Sequence, residues 1–197
     1  MPVRVFDDNE RKELKRKMLD AGFQLIKEHG MTHTSVRKIT SAVGLGASTF
    51  YNFFPSKEMF VLELIQYQRE RQIQYFNEML DGREKMTAEE GKKFAKRIIF
   101  NQESILQYLT AEDEKKLEEA CGNAQGIIGE APKANMMEMF LSHIEDVRAD
   151  VNQKVIANLI NIMAFALFHR NELYEDALEE TLDQIYELLF SLLLEDE

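Results

Sequence analysis

The residues whose types and spacing point most directly to chemistry lie between positions 35 and 57, SVRKITSAVGLGASTFYNFFPSK. Small, hydroxyl, amide and cationic side chains are concentrated there, and such groups bind phosphate oxygens and the edges of bases in DNA. We expect Tyr51 and Lys57 to bind phosphates, and bases to be read among Arg37, Ala47, Ser48, Thr49 and Asn52. The full predicted DNA-binding set is Ser35, Arg37, Ala47, Ser48, Thr49, Tyr51, Asn52 and Lys57.

A first short helix is predicted to lead into this segment. Val36, Ile39 and Val43 recur at the spacing of one helical face. Ser35, or Thr34 before it, can cap the start, because a short side-chain oxygen accepts hydrogen bonds from the first free amide groups. Gly44 follows where the chain must reverse, and a left-handed backbone is least costly for glycine.

A second helix is predicted after the turn, with Ala47, Phe50 and Phe54 on its inner face. Pro55 ends it, since the residue before a proline is displaced from helical geometry. Ser56 can then cap a third helix, whose N-terminus attracts phosphate. Two short helices around a glycine turn indicate a helix-turn-helix DNA-binding unit.

The segment resembles the DNA-binding region of the TetR family of bacterial transcriptional regulators, T-V-R-x-I-A-x-x-A-G-V-S-x-G-T-L-Y-x-H-F-x-x-K-E-x-L. The matching residues are Ser35, Val36, Arg37, Ile39, Gly44, Leu45, Thr49, Phe50, Tyr51, Phe54, Lys57 and Glu58. The departures are Thr40, Gly46, Ser48, Asn52 and Phe53. The motif covers about an eighth of the chain, and the rest is similar to the family in layout alone.

The resemblance implies an all-α protein with two domains. An N-terminal three-helix helix-turn-helix domain would occupy residues 1–55, and a larger α-helical ligand-binding and dimerisation domain would occupy residues 56–197. We expect a repressor that binds a palindromic DNA operator as a homodimer and is released by a small-molecule effector.

The remaining sequence also predicts helices, because it has three prolines in 197 residues and helical spacing of its apolar side chains. Thr87–Glu90 and Thr110–Asp113 have the form of capping boxes at helix starts. The region 122–134 reads as a loop or broken helix. Helices are expected at 9–29, 56–80, 87–109, 110–121, 135–149, 150–169 and 174–194.

The last two predicted helices carry more apolar residues than one buried face requires, so their second side faces either another subunit or the chain's own core. In the TetR family the final two helices form a four-helix dimer interface. The expected interface residues are Leu159, Ile162, Phe165, Ala166, Leu182, Ile185, Leu189 and Leu193.

The resemblance also implies a cavity for the effector within the C-terminal helices. Methionine and aromatic side chains adapt to apolar ligands, although such stripes also form ordinary cores. The candidate lining residues are Phe100, Ser104, Tyr108, Met136, Met137, Phe140, His143 and Met163.

Charge is divided unevenly along the chain. Residues 1–57 carry a net charge of +4 and residues 58–197 a net charge of −15, which together give −11. A basic head on an acidic body is typical of a protein that contacts nucleic acid with the head alone. Acidity of the body also aids solubility.

Other features narrow the function further. The sequence has no secretory leader and no apolar stretch long enough to span a bilayer, and its one cysteine, Cys121, fits a reducing cytoplasm. We therefore expect a cytoplasmic location and no membrane contact. Catalytic and metal-binding motifs are not recognisable, so we expect no enzyme, no cofactor and no metal.

Two alternatives remain from the sequence. A helical partner-binding protein could use the same scaffold without an operator of its own, and the departures at Gly46 and Ser48 favour it slightly. An α-helical enzyme would require a polar cluster of groups with shifted pKa values in the body, and the sequence shows none.

Overall fold

The computed structural model describes residues 7–100, 104–122 and 124–195, and within them the chain forms ten α-helices and no β-strand. The predicted all-α fold class is thereby confirmed. The helices are α1 (Asp8–His33), α2 (Val36–Ala42), α3 (Ala47–Phe50), α4 (Lys57–Leu80), α5 (Ala88–Phe100), α6 (Ala111–Ala120), α7 (Gln125–Ile128), α8 (Glu130–Ser142), α9 (Gln153–Phe168) and α10 (Glu175–Leu193). Short 3₁₀ turns occupy Ile105–Tyr108 and Arg170–Glu172.

The chain divides into two compact units. The first contains Met1–Tyr67 and Tyr108–Ile127, and the second contains Gln68–Gln107 and Ile128–Glu197. This division differs from the boundary predicted between residues 55 and 56, because the start of α4 and the segment around α6 belong to the first unit. The functional boundary at 55/56 stays a prediction.

In the first unit, α1 packs on α2, and α2 packs on α3. Asp7 and Glu10 form a capping box at the start of α1. At Gly30 the backbone leaves helical geometry with a φ of +76°, at the position where the sequence predicted the helix to stop. Met18, Ile26 and Ile39 are fully buried in the core of this unit.

In the second unit, α9 packs on α10 and on α5. One apolar cluster is centred on Met163 and Leu182 of these helices. A second cluster contains Phe76 of α4 and Phe94 of α5, whose ring centroids are 5.0 Å apart. Two isolated backbone bridges, Met86 with Ile144 and Val147 with Leu194, connect the loops of this unit.

Local signals located most helix starts correctly. Both predicted capping boxes are present, with Glu90 N donating to Thr87 Oγ1 and Asp113 N donating to Thr110 Oγ1. The region 122–134, predicted as a loop or broken helix, contains turns, then α7 and the start of α8, which are interrupted at Gly129. Pro132 is the third residue of α8, where a first-turn amide has no helical acceptor to lose.

The helix predicted over 87–109 is also corrected. α5 ends at Phe100, and the chain resumes as a 3₁₀ turn at Ile105. Residues 101–103, which fall inside that prediction, lie outside the described residues. None of the described helices is long and apolar enough to cross a membrane.

Candidate nucleic-acid interface

A cluster of phenylalanines anchors the helix-turn-helix segment from within. Phe50, Phe54 and Phe60 are all fully buried. The ring centroids of Phe50 and Phe54 are 5.1 Å apart, and those of Phe54 and Phe60 are 4.9 Å apart in an edge-to-face arrangement. Such aromatic pairs add packing energy to their burial. The side of the segment opposite this cluster is therefore held outward.

Gly22 of α1 allows this cluster to pack closely. A Cβ at that position would lie 2.3 Å from Cζ of Phe60, well inside van der Waals contact. Only a residue without a side chain fits between α1 and the Phe60 ring. The sequence analysis missed this requirement, because the contact joins residues 38 positions apart.

The turn between α2 and α3 follows the sequence prediction. Ser35 caps α2, with Lys38 N donating to Ser35 Oγ at 3.2 Å. Gly44 has a φ of +71°, the left-handed conformation that the turn requires. Leu45 N donates to Thr40 O at 2.8 Å and closes the turn. Thr40 itself is buried, and its hydroxyl donates to Val36 O.

The second helix of the motif is shorter than predicted. α3 covers Ala47–Phe50, and Tyr51 to Phe53 continue as a turn stabilised by Asn52 N donating to Thr49 O at 3.1 Å. Ala47 was expected on the inner face, but it is exposed. In so short a helix Ala47 lies in the first turn, where the chain has not yet reached the phenylalanine core. We call residues 47–53 the recognition segment.

The outer face of the recognition segment brings most of the predicted DNA-binding residues together. Ser48, Tyr51 and Asn52 are exposed, and 59% of Tyr51 is accessible. Thr49 is half-buried, and its amide donates to Gly46 O. Tyr51 packs edge-on against Phe50, with centroids 5.5 Å apart, so its ring has a fixed support in the core while most of the residue stays accessible.

Two predicted residues stand on α2 and at its start. Arg37 is exposed, and its guanidinium has no hydrogen bond or ion pair with any residue that the structure describes, while its backbone carbonyl accepts from Thr40 Oγ1 at 3.3 Å. Its guanidinium is therefore available to a phosphate or a base. Ser35 is exposed as well, although its hydroxyl oxygen already caps α2.

Lys57 has an intramolecular partner. It is half-buried, and its ammonium donates to Met31 O at 2.6 Å. Burial lowers the pKa of Lys57, and the neighbouring Glu58 and Asp113 carboxylates oppose that shift. The structure thus places Lys57 as a bridge between α4 and the end of α1, a role that the sequence analysis did not foresee.

A segment distant in sequence also packs within this unit. Thr32 Oγ1 donates to Asp113 Oδ1 at 3.2 Å, and Asp113 is buried at the start of α6. Cys121 Sγ lies 3.2 Å from Met59 Sδ, and burial raises the pKa of the Cys121 thiol. A buried thiol with a raised pKa is the less reactive form of cysteine.

The predicted effector-binding residues do not form one set in the structure. Phe100 and Met137 pack against the cluster that contains the fully buried Met163. Phe140 belongs with the other cluster, its ring centroid 4.8 Å from those of Phe76 and Phe94.

The other four candidates lie elsewhere. His143 is edge-on to Phe76 at 5.9 Å, and its Nδ1 lies 2.8 Å from Met139 O. Met136 and Ser104 are half-buried in the second unit. Tyr108 belongs to the first unit, where it packs edge-on against Phe23 with centroids 6.3 Å apart.

The predicted dimer residues separate into two groups. Leu182, Leu189 and Leu193 are each 2% exposed, because they face the core of the single chain, and their place in an intersubunit surface stays a prediction. Leu159, Ala166 and Ile185 are half-buried. Ile162 and Phe165 are 52% and 66% exposed. Further exposed apolar side chains of the two helices are Val155, Leu188 and Leu192.

Metal binding has no support among the described residues, where no group of three or more His, Cys, Asp or Glu side chains is placed to hold an ion. Two shallow surface grooves are lined by the second half of α4 and by the acidic face of α10. Neither groove includes any of the eight effector candidates.

Comparison with known proteins finds a similarity in the helix-turn-helix segment. Residues 18–64 match the model of the bacterial regulatory proteins of the tetR family, and this range contains the whole helix-turn-helix unit. No curated protein has detectable sequence similarity to the chain.

Solved structures share the fold over most of the chain. The fatty acid degradation regulator FadR from Bacillus halodurans has a TM-score of 0.61 at 18% identity, with 89% of this chain and 94% of that chain covered. FadR from Bacillus subtilis in complex with stearoyl-CoA has a TM-score of 0.56 at 20% identity, covering 89% and 97%. NalD, the secondary repressor of the MexAB-OprM multidrug efflux pump in Pseudomonas aeruginosa, has a TM-score of 0.54 at 15% identity. The match covers 94% of this chain and 97% of NalD.

Proposed function

We propose that this chain is a TetR-family transcriptional regulator, a dimeric repressor that is released from a palindromic operator by a small-molecule effector. The observation that carries the proposal is the recognition segment. Its inner face is fixed by buried phenylalanines, while Ser48, Tyr51 and Asn52 face solvent.

In this proposal some residues bind the DNA phosphates and others recognise the bases. Tyr51 is the main phosphate anchor, since its ring packs on Phe50 and 59% of the residue is exposed. Arg37, Ser48 and Asn52 supply donors and acceptors to the base edges in the major groove. Ser35, Ala47, Thr49 and Lys57 complete the contact surface. Lys57 would reach a phosphate only by giving up or sharing its bond to Met31 O.

Exposure of the last two helices supports a homodimer. Ile162 and Phe165 on α9 are more than half exposed, and Leu188 and Leu192 on α10 are also exposed. A monomer rarely leaves several large apolar side chains of neighbouring helices in water. Two-fold pairing would place two recognition segments about one DNA turn apart, roughly 34–36 Å, and predicts an operator with inverted half-sites.

Repression with release by an effector is the regulatory part of the proposal. One structural neighbour is named a repressor and another was solved with stearoyl-CoA, which supports both parts. An effector that binds the DNA-incompetent conformation more tightly would shift the population away from the operator. Phe100, Met137 and Met163 are the candidates that the structure brings to one cluster.

The alternative is a helical partner-binding protein without an operator. Gly46 offers α3 no side-chain cap, and α3 is only four residues long. A recognition segment built this way has fewer local restraints than one with a serine or threonine cap. This observation favours retaining the partner-binding protein as the second candidate function.

Binding of the purified protein to labelled DNA from upstream of its own gene, against a scrambled duplex of equal length, tests the proposal. We expect preference for the upstream DNA and a steep loss of affinity as salt rises. Tyr51→Ala should abolish binding, whereas Tyr174→Ala, at an 86% exposed tyrosine of the second unit, should not. Equal affinity for both duplexes would favour the partner-binding alternative and make a pull-down the next step.

A further inference from the structure

The recognition segment has few restraints at either end. Gly46 caps α3 without a side-chain hydrogen bond, and a single helical turn follows. Beyond it, Asn52 and Phe53 are attached by backbone bonds to Thr49 O and Phe50 O, at 3.1 and 2.9 Å. Isolated turns of this length are marginal without tertiary contacts. The position of the exposed side chains therefore depends on tertiary contacts, both from the phenylalanine cluster within and from residues that hold the segment from outside.

Arg11, near the start of α1, makes such a contact. Its Nη2 donates a hydrogen bond to the backbone carbonyl of Asn52. Its guanidinium carbon lies 4.7 Å from the centroid of the Phe53 ring. One side chain thus binds the carbonyl at the C-terminal end of the recognition segment and covers the ring that follows it. Cations near a helix C-terminus are also favoured by the partial charge of the free carbonyls.

We propose that Arg11 is a positioning residue for DNA reading, which fixes the C-terminal end of the recognition segment without itself reading a base. The proposal rests on the proposed function. Asn52 contributes both the carbonyl that Arg11 holds and a side chain expected to read a base, so the two roles meet in one residue. Loss of the Arg11 contact would leave that side chain in several orientations and weaken sequence preference.

Replacing Arg11 by lysine distinguishes a positioning role of this side chain from a purely electrostatic one. Arginine has a planar fork that can donate to a carbonyl while it stacks on a ring, whereas lysine has a compact, strongly hydrated charge. Arg11→Lys therefore keeps the net charge of the head and removes the combined geometry. If Arg11 served only as a cation near phosphate, lysine would replace it.

Affinity for an operator duplex and for scrambled DNA gives the first readout. We expect Arg11→Lys to lose about fivefold in operator affinity, from one exposed cation–π contact and one charge-assisted hydrogen bond. Affinity for scrambled DNA and the salt dependence should stay at wild-type values. The matched control is Lys12→Met, which removes a charge from the same exposed turn and should weaken binding to both duplexes alike.

Hydrogen exchange of the free protein gives a second readout that needs no DNA. The Asn52, Phe53 and Phe54 amides donate hydrogen bonds to carbonyls of the recognition segment. Their hydrogen exchange should accelerate in Arg11→Lys and stay unchanged in Lys12→Met. An Arg11→Lys variant with wild-type operator affinity would refute the positioning role alone. A wild-type protein without any sequence preference would refute the proposed function, and this role with it.

Discussion

Replacing Phe165 by serine should separate the two subunits of the proposed dimer. Phe165 lies on α9, and 66% of it is exposed in the single chain, while its ring packs against His169 in a tilted arrangement with centroids 4.1 Å apart. An aromatic side chain this accessible is stabilising when a partner covers it. Its removal should therefore weaken association more than folding.

The magnitude follows from the exposed area. A phenylalanine side chain contributes about 200 Å² of surface when fully accessible. Two thirds of that area, at about 25 cal/mol per Å², is worth about 3 kcal/mol per subunit if the partner covers it completely. The symmetric dimer loses two such side chains, or about 6 kcal/mol at full coverage. Since 1.4 kcal/mol is a factor of ten, the dissociation constant of the dimer should rise by about ten-thousandfold.

Sedimentation equilibrium of both proteins measures this change directly. Tyr51→Ser is the reciprocal control, because it removes an exposed aromatic residue from the recognition segment and should leave the dimer intact. Phe165→Ser should also shift operator binding toward independent occupation of half-sites. A dimer of unchanged dissociation constant, or a wild-type protein that stays monomeric at high concentration, would refute the reasoning.

Two further substitutions test the nucleic-acid interface, one on its exposed face and one in the phenylalanine core beneath it. Asn52→Ala should relax preference at a single operator position by about 1–3 kcal/mol, measured by substituting each base pair in turn; an unchanged profile would remove Asn52 from the base-reading set. Gly22→Ala should lower the free energy of unfolding by about 1–3 kcal/mol in chemical denaturation, since the new Cβ would meet the Phe60 ring at 2.3 Å. Gly126→Ala, which has open space at its Cβ, is the matched control, and equal stability of the two variants would contradict the packing account.

The sequence predicted features that depend on neighbours within a few residues. Ser35 as a cap and Gly44 as a left-handed turn are confirmed, because each follows from the conformational needs of its own backbone. The same holds for the capping boxes at Thr87 and Thr110. An apolar stripe also identified α10, although it did not tell the inner face from the outer one.

Contacts between residues that are far apart in the chain could not be predicted from the sequence. Leu182, Leu189 and Leu193 were expected in a subunit interface and are buried in the single chain, because a hydrophobic stripe does not reveal which chain buries it. The bond from Arg11 to Asn52 spans 41 positions, and the close approach of Gly22 to Phe60 spans 38, so neither leaves a local pattern.

The region 122–134, predicted as a loop or broken helix, is a broken helix that is interrupted at Gly129. Its glycines and proline indicate an interruption, but they do not indicate where the helix resumes. Pro132, however, lies in the first turn of α8, the one part of a helix that tolerates proline.

Selection from a pool of random-sequence duplexes by the purified protein tests the central claim most directly. The account predicts enrichment of one motif with two inverted half-sites, centred about 10 base pairs apart, and no enrichment with Tyr51→Ala. A wild-type protein that enriches no sequence, or that enriches the same motif as Tyr51→Ala, would contradict the account.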